Sequence, residues 1–124
     1  QGVIHVGLTR AAESYLVTIY VLQKDKMQLR SIDVVNALNY SRPTVSIALR
    51  KLRENHHVTM DDRGFITLTT QGKKLAQRVY KRRTALRDLL VHKGVSEETA
   101  ERDAALIEHD LSDESFKAIV SNQS

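Results

Sequence analysis

The sequence has no cysteine, and its one proline is Pro43. Without cysteine the chain can form no disulfide, no zinc–cysteine site and no thiol nucleophile, a composition that agrees with a reducing cytoplasm. No apolar run approaches the roughly 18 residues that a membrane-spanning helix needs, so we expect no membrane partner. The sequence also lacks a Gly-rich phosphate loop, a His-Glu metalloprotease motif and a nucleophile elbow. The absence of these motifs predicts that the protein is not an enzyme, and its content of 41% apolar and 27% charged residues is that of a globular protein.

The charged residues are distributed unevenly along the chain. Residues 1–93 contain 17 Lys and Arg against 7 Asp and Glu, a surplus of +10, whereas residues 94–124 contain 2 against 8, a deficit of −6. A basic surface attracts a polyanion such as nucleic acid, and an acidic segment suits packing, dimerisation or cation binding. Charge alone does not distinguish these roles from a merely solvated surface, so the local sequence pattern has to decide.

Two short helices joined by a tight turn are predicted in the first half of the chain. Ser31 suits the N-cap of the first, and Asn39 suits the turn because Asn tolerates a left-handed backbone. The second helix begins after Ser41, with Pro43 in its first turn, where the missing N–H is not needed. Apolar residues follow with the spacing of one buried helical face, namely Val45, Ala48, Leu49 and Leu52. This arrangement is the signature of a helix-turn-helix.

A β-hairpin and further helices are predicted around this pair. One helix precedes it, with apolar residues at helical spacing from Leu8 to Leu22 and Thr9 as its N-cap, and residues 23–27 break the pattern. Strands over 58–60 and 65–68, joined by a tight turn at 61–64, form a wing. A long helix then covers 70–92, and Ser96 and Ser112 begin two more, with Ile107 and Ile119 expected to point inward. The order of helix, helix, helix and hairpin predicts a winged helix-turn-helix.

The outward face of the second short helix is the predicted DNA-reading surface, because a recognition helix buries one face and offers the other to the major groove. Its hydroxyl groups suit phosphates or base edges, its guanidinium groups suit guanine or phosphate, and Pro43 and Ile47 suit thymine methyl groups. Basic side chains nearby add electrostatic anchoring. The predicted DNA-binding residues are Ser41, Arg42, Pro43, Thr44, Ser46, Ile47, Arg50, Lys51 and Arg63.

Four segments of the chain resemble, in order and spacing, the diphtheria-toxin-repressor and manganese-transport-regulator family. They are AESYLVTIY, SIDVVNALNYSRPTVSIALRKLREN, GFITLTTQGKKLA and IEHDLSDE. The resemblance implies a mainly α fold, in which a winged helix-turn-helix DNA-binding domain (residues 8–72) is followed by a long linking helix and a helical dimerisation domain (73–124). It also implies a homodimeric repressor that binds palindromic double-stranded DNA when divalent manganese or iron is bound.

The metal ligands that the resemblance implies are largely replaced in this sequence. Ligand positions of the family are occupied here by Ser14, Val17, Arg83, Arg87 and Ala105. Only Glu108 and His109 match directly, while Glu101 falls where one branch of the family has a metal-binding His. Two adjacent ligands point about 100° apart around a helix and do not form a tight site alone. We therefore expect manganese or iron binding to be weak or lost.

One replacement leads to a sharper hypothesis. Glu101, Ala105 and Glu108 share one helical face, because their spacings are four and three residues. An Arg83 guanidinium above Ala105 would pair with Glu101 or Glu108 and supply permanently the positive charge that a metal would bring. The competing interpretation is that Arg83 points into solvent, since surface ion pairs are common and weak.

Other functions stay open from the sequence. A winged-helix module can bind protein or RNA, and would then lack the strong salt dependence and palindrome preference of a DNA-binding dimer. A regulator of this kind can also respond to a small organic ligand instead of a metal. A relocated metal site would draw on Glu108, His109, Asp103 or Asp110.

Overall fold

The computed structural model describes residues 8–121 of the chain. Their secondary structure is mainly helical, which confirms the predicted fold class. The elements are, in order, α1 (Arg10–Asp25), α2 (Ser31–Leu38), α3 (Arg42–Glu54), β1 (Val58–Met60), β2 (Ile66–Leu68), α4 (Thr70–His92), α5 (Glu97–Asp110) and α6 (Asp113–Ser121).

The chain divides into two compact units within α4. One unit is Ala11–Gln77, which we call the winged-helix unit, and the described residues of the other are 8–10 and 78–121. We call the second the helical unit. The sequence placed the boundary between residues 72 and 73, in the first turn of the same helix.

Local signals determine the helix-turn-helix of the winged-helix unit. Asn39 follows α2 with a left-handed backbone (φ 57°, ψ 41°), which a non-glycine residue other than Asn adopts less readily. The Ser41 hydroxyl accepts a hydrogen bond from the Thr44 backbone N–H (3.3 Å), and Pro43 lies in the first turn of α3. The predicted turn, cap and proline position are thus confirmed. Val45, Leu49 and Leu52 form the buried face of α3.

Three predicted boundaries were wrong. Helix α1 continues to Asp25, and Lys24 in its last turn has a favourable position near the negative end of the helix dipole. Ser31 is the first residue of α2 and not its cap, because the Asp33 carboxylate accepts the Arg30 backbone N–H (2.8 Å) at this helix start. Strand β2 begins one residue later than predicted, because the Phe65 N–H is donated to a side chain in the turn.

The wing is an antiparallel hairpin in which Val58 lies opposite Leu68 and Met60 opposite Ile66. Its turn is held by the Asp61 carboxylate, which accepts the backbone N–H groups of Arg63 and Phe65, each at 2.9 Å. Gly64 has a positive φ of 85° in this turn, a conformation that glycine adopts without strain. The hairpin is joined to the connection between α1 and α2 by the Ile66 N–H, which donates to the Leu29 carbonyl (2.7 Å).

Most buried side chains of the winged-helix unit are apolar and come from every element of the unit, although Glu13 of α1 is also fully buried. Burying each large aliphatic side chain contributes about 1.5–3 kcal/mol relative to leaving it exposed. The fully buried members, each at most 2% exposed, include Leu16, Ile19, Leu29, Val34, Val45, Leu49, Leu52, Val58 and Ile66.

The helical unit consists of the second part of α4 together with α5 and α6. The Ser96 hydroxyl accepts the Thr99 N–H (3.3 Å) at the start of α5, and the Ser112 hydroxyl accepts the Ser115 N–H (3.1 Å) at the start of α6. The buried apolar residues are Leu8, Val79, Leu86, Ala100 and Ala104.

Two apolar predictions for the helical unit were wrong. Ile107 and Ile119, expected to be inward, are 41% and 40% exposed, and their neighbour Leu106 is 46% exposed. Helix α5 buries Ala100, Ala104 and Glu108 instead of Ile107, and α6 has no buried residue. Between residues 8 and 121, no helix is long and apolar enough to cross a membrane.

Candidate nucleic-acid interface and metal region

The two faces of α3 differ sharply in burial. Val45, Leu49 and Leu52 are at most 2% exposed, so the helix is fixed against the core by one side. Every residue that the sequence predicted to read DNA from this helix is exposed. These residues are Ser41, Arg42, Pro43, Thr44, Ser46, Ile47, Arg50 and Lys51.

The N-terminal end of α3 offers ordered polar groups. The Ser41 and Thr44 hydroxyl oxygens lie 2.8 Å apart and share a hydrogen bond, which restricts both side chains. Arg42 and Arg50 form no ion pair with any residue in the range 8–121, so no acidic neighbour there neutralises them. Exposed and uncompensated guanidinium groups are suited to phosphate or guanine recognition.

Apolar and basic groups extend this surface. Ile47 is 48% exposed on the outward face of α3, where an apolar side chain gains nothing from water. Arg63 is exposed in the turn of the wing, with its backbone held by Asp61. In the winged-helix unit the sequence-predicted DNA residues are thus all accessible.

The helical unit contains a buried ionic cluster. Glu108 of α5 is fully buried, and its Oε2 accepts a hydrogen bond from Arg82 Nε (3.2 Å). The other oxygen, Oε1, lies 3.6 Å from Arg83 Nε, with the Arg83 side chain 15% exposed. Of the two predicted partners of Arg83, the structure therefore brings Glu108 to it, whereas Glu101 is exposed.

Arg82 is the central residue of the cluster. It is 3% exposed, and its Nη2 donates to the carbonyl oxygens of Glu108 (3.1 Å) and Leu111 (2.6 Å). Its Nη1 donates to Asp113 Oδ1 (2.9 Å), and its guanidinium carbon lies 4.6 Å from the centre of the Phe116 ring. One side chain of α4 thereby holds the end of α5 and the start of α6.

Asp113 pairs with two arginines, because Arg78 as well as Arg82 forms an ion pair with its Oδ1. Burial of Asp113 favours the neutral carboxyl, but the hydrogen bond and charge of Arg78 and the charge of Arg82 outweigh that effect. The pKa of Asp113 is therefore below its ordinary value of 3.8. The carboxylate stays ionised and paired at neutral pH.

Sequence reasoning missed Arg82, Arg78 and Asp113 as members of a cluster. A helix surface rich in Lys and Arg is usually solvated, so the basic residues of α4 do not by themselves indicate a cluster. The available signal was helical spacing, because Arg82 lies three residues after buried Val79 and four before buried Leu86. A buried arginine on an apolar face needs hydrogen-bond acceptors from other elements, and their identity depends on tertiary structure.

The residues of this region do not fit the divalent ion of the resembled family. In the part of the chain that the structure describes, no group of three or more His, Asp or Glu side chains is arranged to hold a metal ion. Both oxygens of Glu108 face arginines, His109 is half-buried, and Glu101 is exposed. Manganese and iron need several carboxylate, imidazole or sulfur donors, which cationic side chains do not replace.

Taken together, helix α3 with one buried and one exposed face, the wing and the helical unit define a protein of the winged helix-turn-helix class. A family model described as "Iron dependent repressor, N-terminal DNA binding domain" matches residues 7–64. A second, described as "Iron dependent repressor, metal binding and dimerisation domain", matches residues 69–122. The chain belongs to this family of iron-dependent repressors, and the family predicted from its motifs is confirmed.

Known relatives agree with this assignment. The HTH-type transcriptional regulator MntR of Geobacillus kaustophilus is 34% identical over 104 residues, which cover 84% of this chain and 74% of that protein. The transcriptional regulator MntR of Escherichia coli O157:H7 is 33% identical over 106 residues, covering 86% and 68%. These relatives are regulators and not enzymes, in agreement with the sequence prediction.

Solved structures share the fold. A structure described as a manganese-dependent transcriptional repressor in complex with manganese has a TM-score of 0.76 and 26% identity, covering 89% of this chain. The structure of the manganese regulator SloR has a TM-score of 0.78 at 24% identity and also covers 89% of this chain. This chain spans about half of each of them, at 52% of their lengths.

Proposed function

We propose that this chain is a repressor that binds palindromic double-stranded DNA as a homodimer, and that its manganese or iron binding is weak or lost. The observation that carries the DNA-binding part is the outward face of α3, which is exposed along its length while the opposite face is buried. The wing supplies a second contact through Arg63. Helix α3 enters the major groove with its N-terminal end first, as recognition helices do.

The chemistry of the α3 face supports duplex DNA as the partner. Arg42 and Arg50 supply charge for phosphates or guanine, and Ile47 supplies an apolar contact for thymine methyl groups. An exposed isoleucine between arginines is poorly suited to a purely electrostatic surface. It is well suited to a groove in which base edges alternate between polar atoms and methyl groups.

The apolar surface of the helical unit supports a homodimer. Leu106, Ile107 and Ile119 are each at least 40% exposed in a single chain. Large exposed apolar residues on a small helical unit favour self-association, and two-fold symmetric dimers are the commonest closed assemblies. The family description of residues 69–122 as a dimerisation domain agrees with this role. A two-fold dimer presents two symmetry-related recognition helices, and it is therefore expected to bind a palindromic site.

The buried ionic cluster supports weak or lost metal binding. Glu108, which matches a family ligand, is already compensated by Arg82 and Arg83. An added divalent cation at this carboxylate would approach two positive charges in a region with little water. The proposed repressor therefore reaches its DNA-binding form without the ion.

Duplex binding is tested first by selecting sites from a random double-stranded library with the wild-type chain. Affinity for the selected site is then measured by fluorescence anisotropy in chelator, in Mn²⁺ and in Fe²⁺. We expect a palindromic site and equal affinities in the three conditions. Binding only with metal would overturn the metal part of the proposal. Failure to select any duplex, with weak salt dependence of residual binding, would favour a protein- or RNA-binding module.

The dimer is tested by light scattering on Leu106→Glu, with Met27→Glu as the matched control. Met27 is 90% exposed in the winged-helix unit, so the control adds the same charge outside the proposed interface. We expect Leu106→Glu to be monomeric and to lose affinity for the palindrome at least tenfold, because linking two half-sites multiplies their affinities. Met27→Glu should stay dimeric. A wild-type chain that is monomeric at micromolar concentration would contradict the proposal.

A further inference from the structure

Glu108 is a buried carboxylate, and its charge must be compensated by neighbouring groups. Its carboxylate has no exposed surface, and an ionised carboxylate away from water is stable only when both oxygens have partners. Arg82 Nε donates a hydrogen bond to Oε2 (3.2 Å), and Arg83 Nε lies 3.6 Å from Oε1. Two consecutive residues of α4 thus approach the two oxygens of one carboxylate on α5.

The two arginines are not equivalent. Arg82 has four further contacts, with the carbonyl oxygens of Glu108 and Leu111, with Asp113 and with the Phe116 ring. Its structural role in joining α4, α5 and α6 would be needed whatever lay at Oε1. Arg83 is less buried, and its side chain faces the oxygen that Arg82 leaves available. The function of Arg83, the second arginine at this carboxylate, therefore requires an explanation.

A divalent ion and the Arg83 guanidinium would compete for the same oxygen. Both are positively charged, and at the observed separation of 3.6 Å the guanidinium already lies close to where an ion bound to Oε1 would be. Ala105, one turn before Glu108 on the same face, has no donor atom to add. The site is therefore arranged for a fixed cation and not for an exchangeable one.

We propose that Arg83 replaces the activating metal of the family as a permanent cation at Glu108, so that this regulator cannot be released from DNA by metal depletion. The inference rests on the proposed function and states how that function is regulated. A guanidinium stays protonated throughout the physiological range, and it is covalently attached, so no change in cell composition removes it. Loss of repression must then come through another signal or through protein turnover.

The first part of the test uses thermal unfolding of the whole chain without DNA. Arg83→Met removes the charge and keeps the aliphatic stem, Arg83→Lys keeps a charge, and Lys81→Met is the exposed control on the same helix. We expect Arg83→Met to lower Tm by about 5 °C, because the fully buried Glu108 carboxylate loses one partner. Arg83→Lys should recover more than half of that loss, and Lys81→Met should leave Tm within about 1 °C of wild type.

A hydrogen-bonding role without charge is distinguished by Arg83→Gln. This variant retains a donor and removes the positive charge, so we expect it to behave like Arg83→Met. If Arg83→Gln retained the wild-type Tm, a permanent cation would not be needed and the inference would be overturned. The same conclusion would follow if Arg83→Met and Lys81→Met had equal Tm values.

The second part measures Mn²⁺ directly. Millimolar Mn²⁺ should leave the wild-type Tm unchanged and produce no saturable heat in isothermal titration, since a ligand that binds only the folded state raises Tm. A saturable one-site heat with a raised Tm would overturn the inference. Anisotropy on the selected duplex, in chelator, should show weaker binding by Arg83→Met than by Arg83→Lys or Lys81→Met.

The two proposals fail in different ways. If the wild-type chain bound no duplex under any condition, the DNA-binding function would be wrong, whereas the Tm series would still decide whether Glu108 needs Arg83. If the wild-type chain bound duplex only in Mn²⁺, the DNA-binding function would stand and the permanent cation would be overturned.

Discussion

At the residue scale, Gly72, in the first turn of α4, lies directly against the backbone of His57. A Cβ at this position would collide with the backbone carbonyl oxygen of His57. That carbonyl cannot move freely, because it accepts the Thr69 backbone N–H (3.0 Å). We expect Gly72→Ala to lower the free energy of unfolding by about 3 kcal/mol, the upper range for overpacking.

Urea denaturation measures this effect, with Lys74→Ala as the control. Lys74 is exposed two residues further along the same helix, so its replacement should be near neutral. Equal urea midpoints for the two variants would show that the backbone at His57 can yield.

The His57 side chain links stability to pH. It is 8% exposed, and burial, with the nearby His56 as a second cause, lowers the pKa of His57 below its ordinary value of 6.5. Around and below pH 6.5 the unfolded chain therefore binds a proton that the folded chain binds less readily. Stability is complete above pH 6.5 and is lost as the pH falls through that value toward the lower folded pKa.

We expect the free energy of unfolding to fall between about pH 7.5 and pH 5.5, and to fall less steeply in His57→Gln. Denaturation at a series of pH values gives the slope. His92→Gln, which changes an exposed histidine of α4, is the control and should retain the wild-type slope. A wild-type slope in His57→Gln would mean that other groups cause the pH dependence.

At the element scale, the sequence predicted most of what short-range chemistry determines. The Asn39 turn, the Ser41 cap and the start of α4 at Thr70 depend on residues within a few positions of each other. The start of α2 was missed because two residue types compete there. Ser31 is a good cap by type, but the Asp33 carboxylate reaches the Arg30 N–H and moves the start by one residue.

The ionic cluster shows why the candidate site was predicted only in part. Its members come from α4, α5 and α6, so their meeting depends on how three helices pack. Sequence comparison with the family pointed to Arg83 and Glu108, because both stand at ligand positions. Nothing comparable pointed to Arg82, whose partners include two backbone carbonyl oxygens that sequence patterns do not identify.

Helix α2 depends on Asp33, whose carboxylate also accepts a hydrogen bond from Lys26 Nζ (2.9 Å). The Lys26 hydrogen bond, followed by that of the Arg30 backbone N–H, lowers the pKa of Asp33 below 3.8. The stabilisation is therefore present above pH 3.8 and is lost as the pH falls through the lower folded pKa. We expect Asp33→Ala to lower the free energy of unfolding by about 1 kcal/mol at neutral pH.

Denaturation of Asp33→Ala and Asp25→Ala, compared at neutral pH and at pH below the folded pKa, checks this effect. Asp25 is exposed at the end of α1 and provides the control. The deficit of Asp33→Ala should shrink in acid. A deficit that persisted unchanged would indicate that lost packing, and not the charged hydrogen bonds, destabilises the variant.

At the scale of the whole molecule, charge is divided unevenly along the chain, with a surplus of +10 in residues 1–93 and a deficit of −6 in residues 94–124. If the basic part binds DNA, phosphate contacts release counterions, and the logarithm of the binding constant falls linearly with the logarithm of salt concentration. Each lost phosphate contact reduces the magnitude of this negative slope by about 0.9. In a homodimer a single substitution removes two contacts.

We therefore expect Arg63→Ala to reduce the salt slope by about 2 per dimer, while base preference stays the same because phosphates carry no sequence information. Ile47→Ala should do the reverse, leaving the slope unchanged and relaxing the preference for thymine. Anisotropy over a salt series, on the selected duplex and on the same duplex with uracil for thymine, measures both effects. Arg102→Ala, which removes an exposed arginine of α5, is the control for net charge. If Arg102→Ala changed the slope as much as Arg63→Ala, net charge would govern binding and the wing would have no specific phosphate contact.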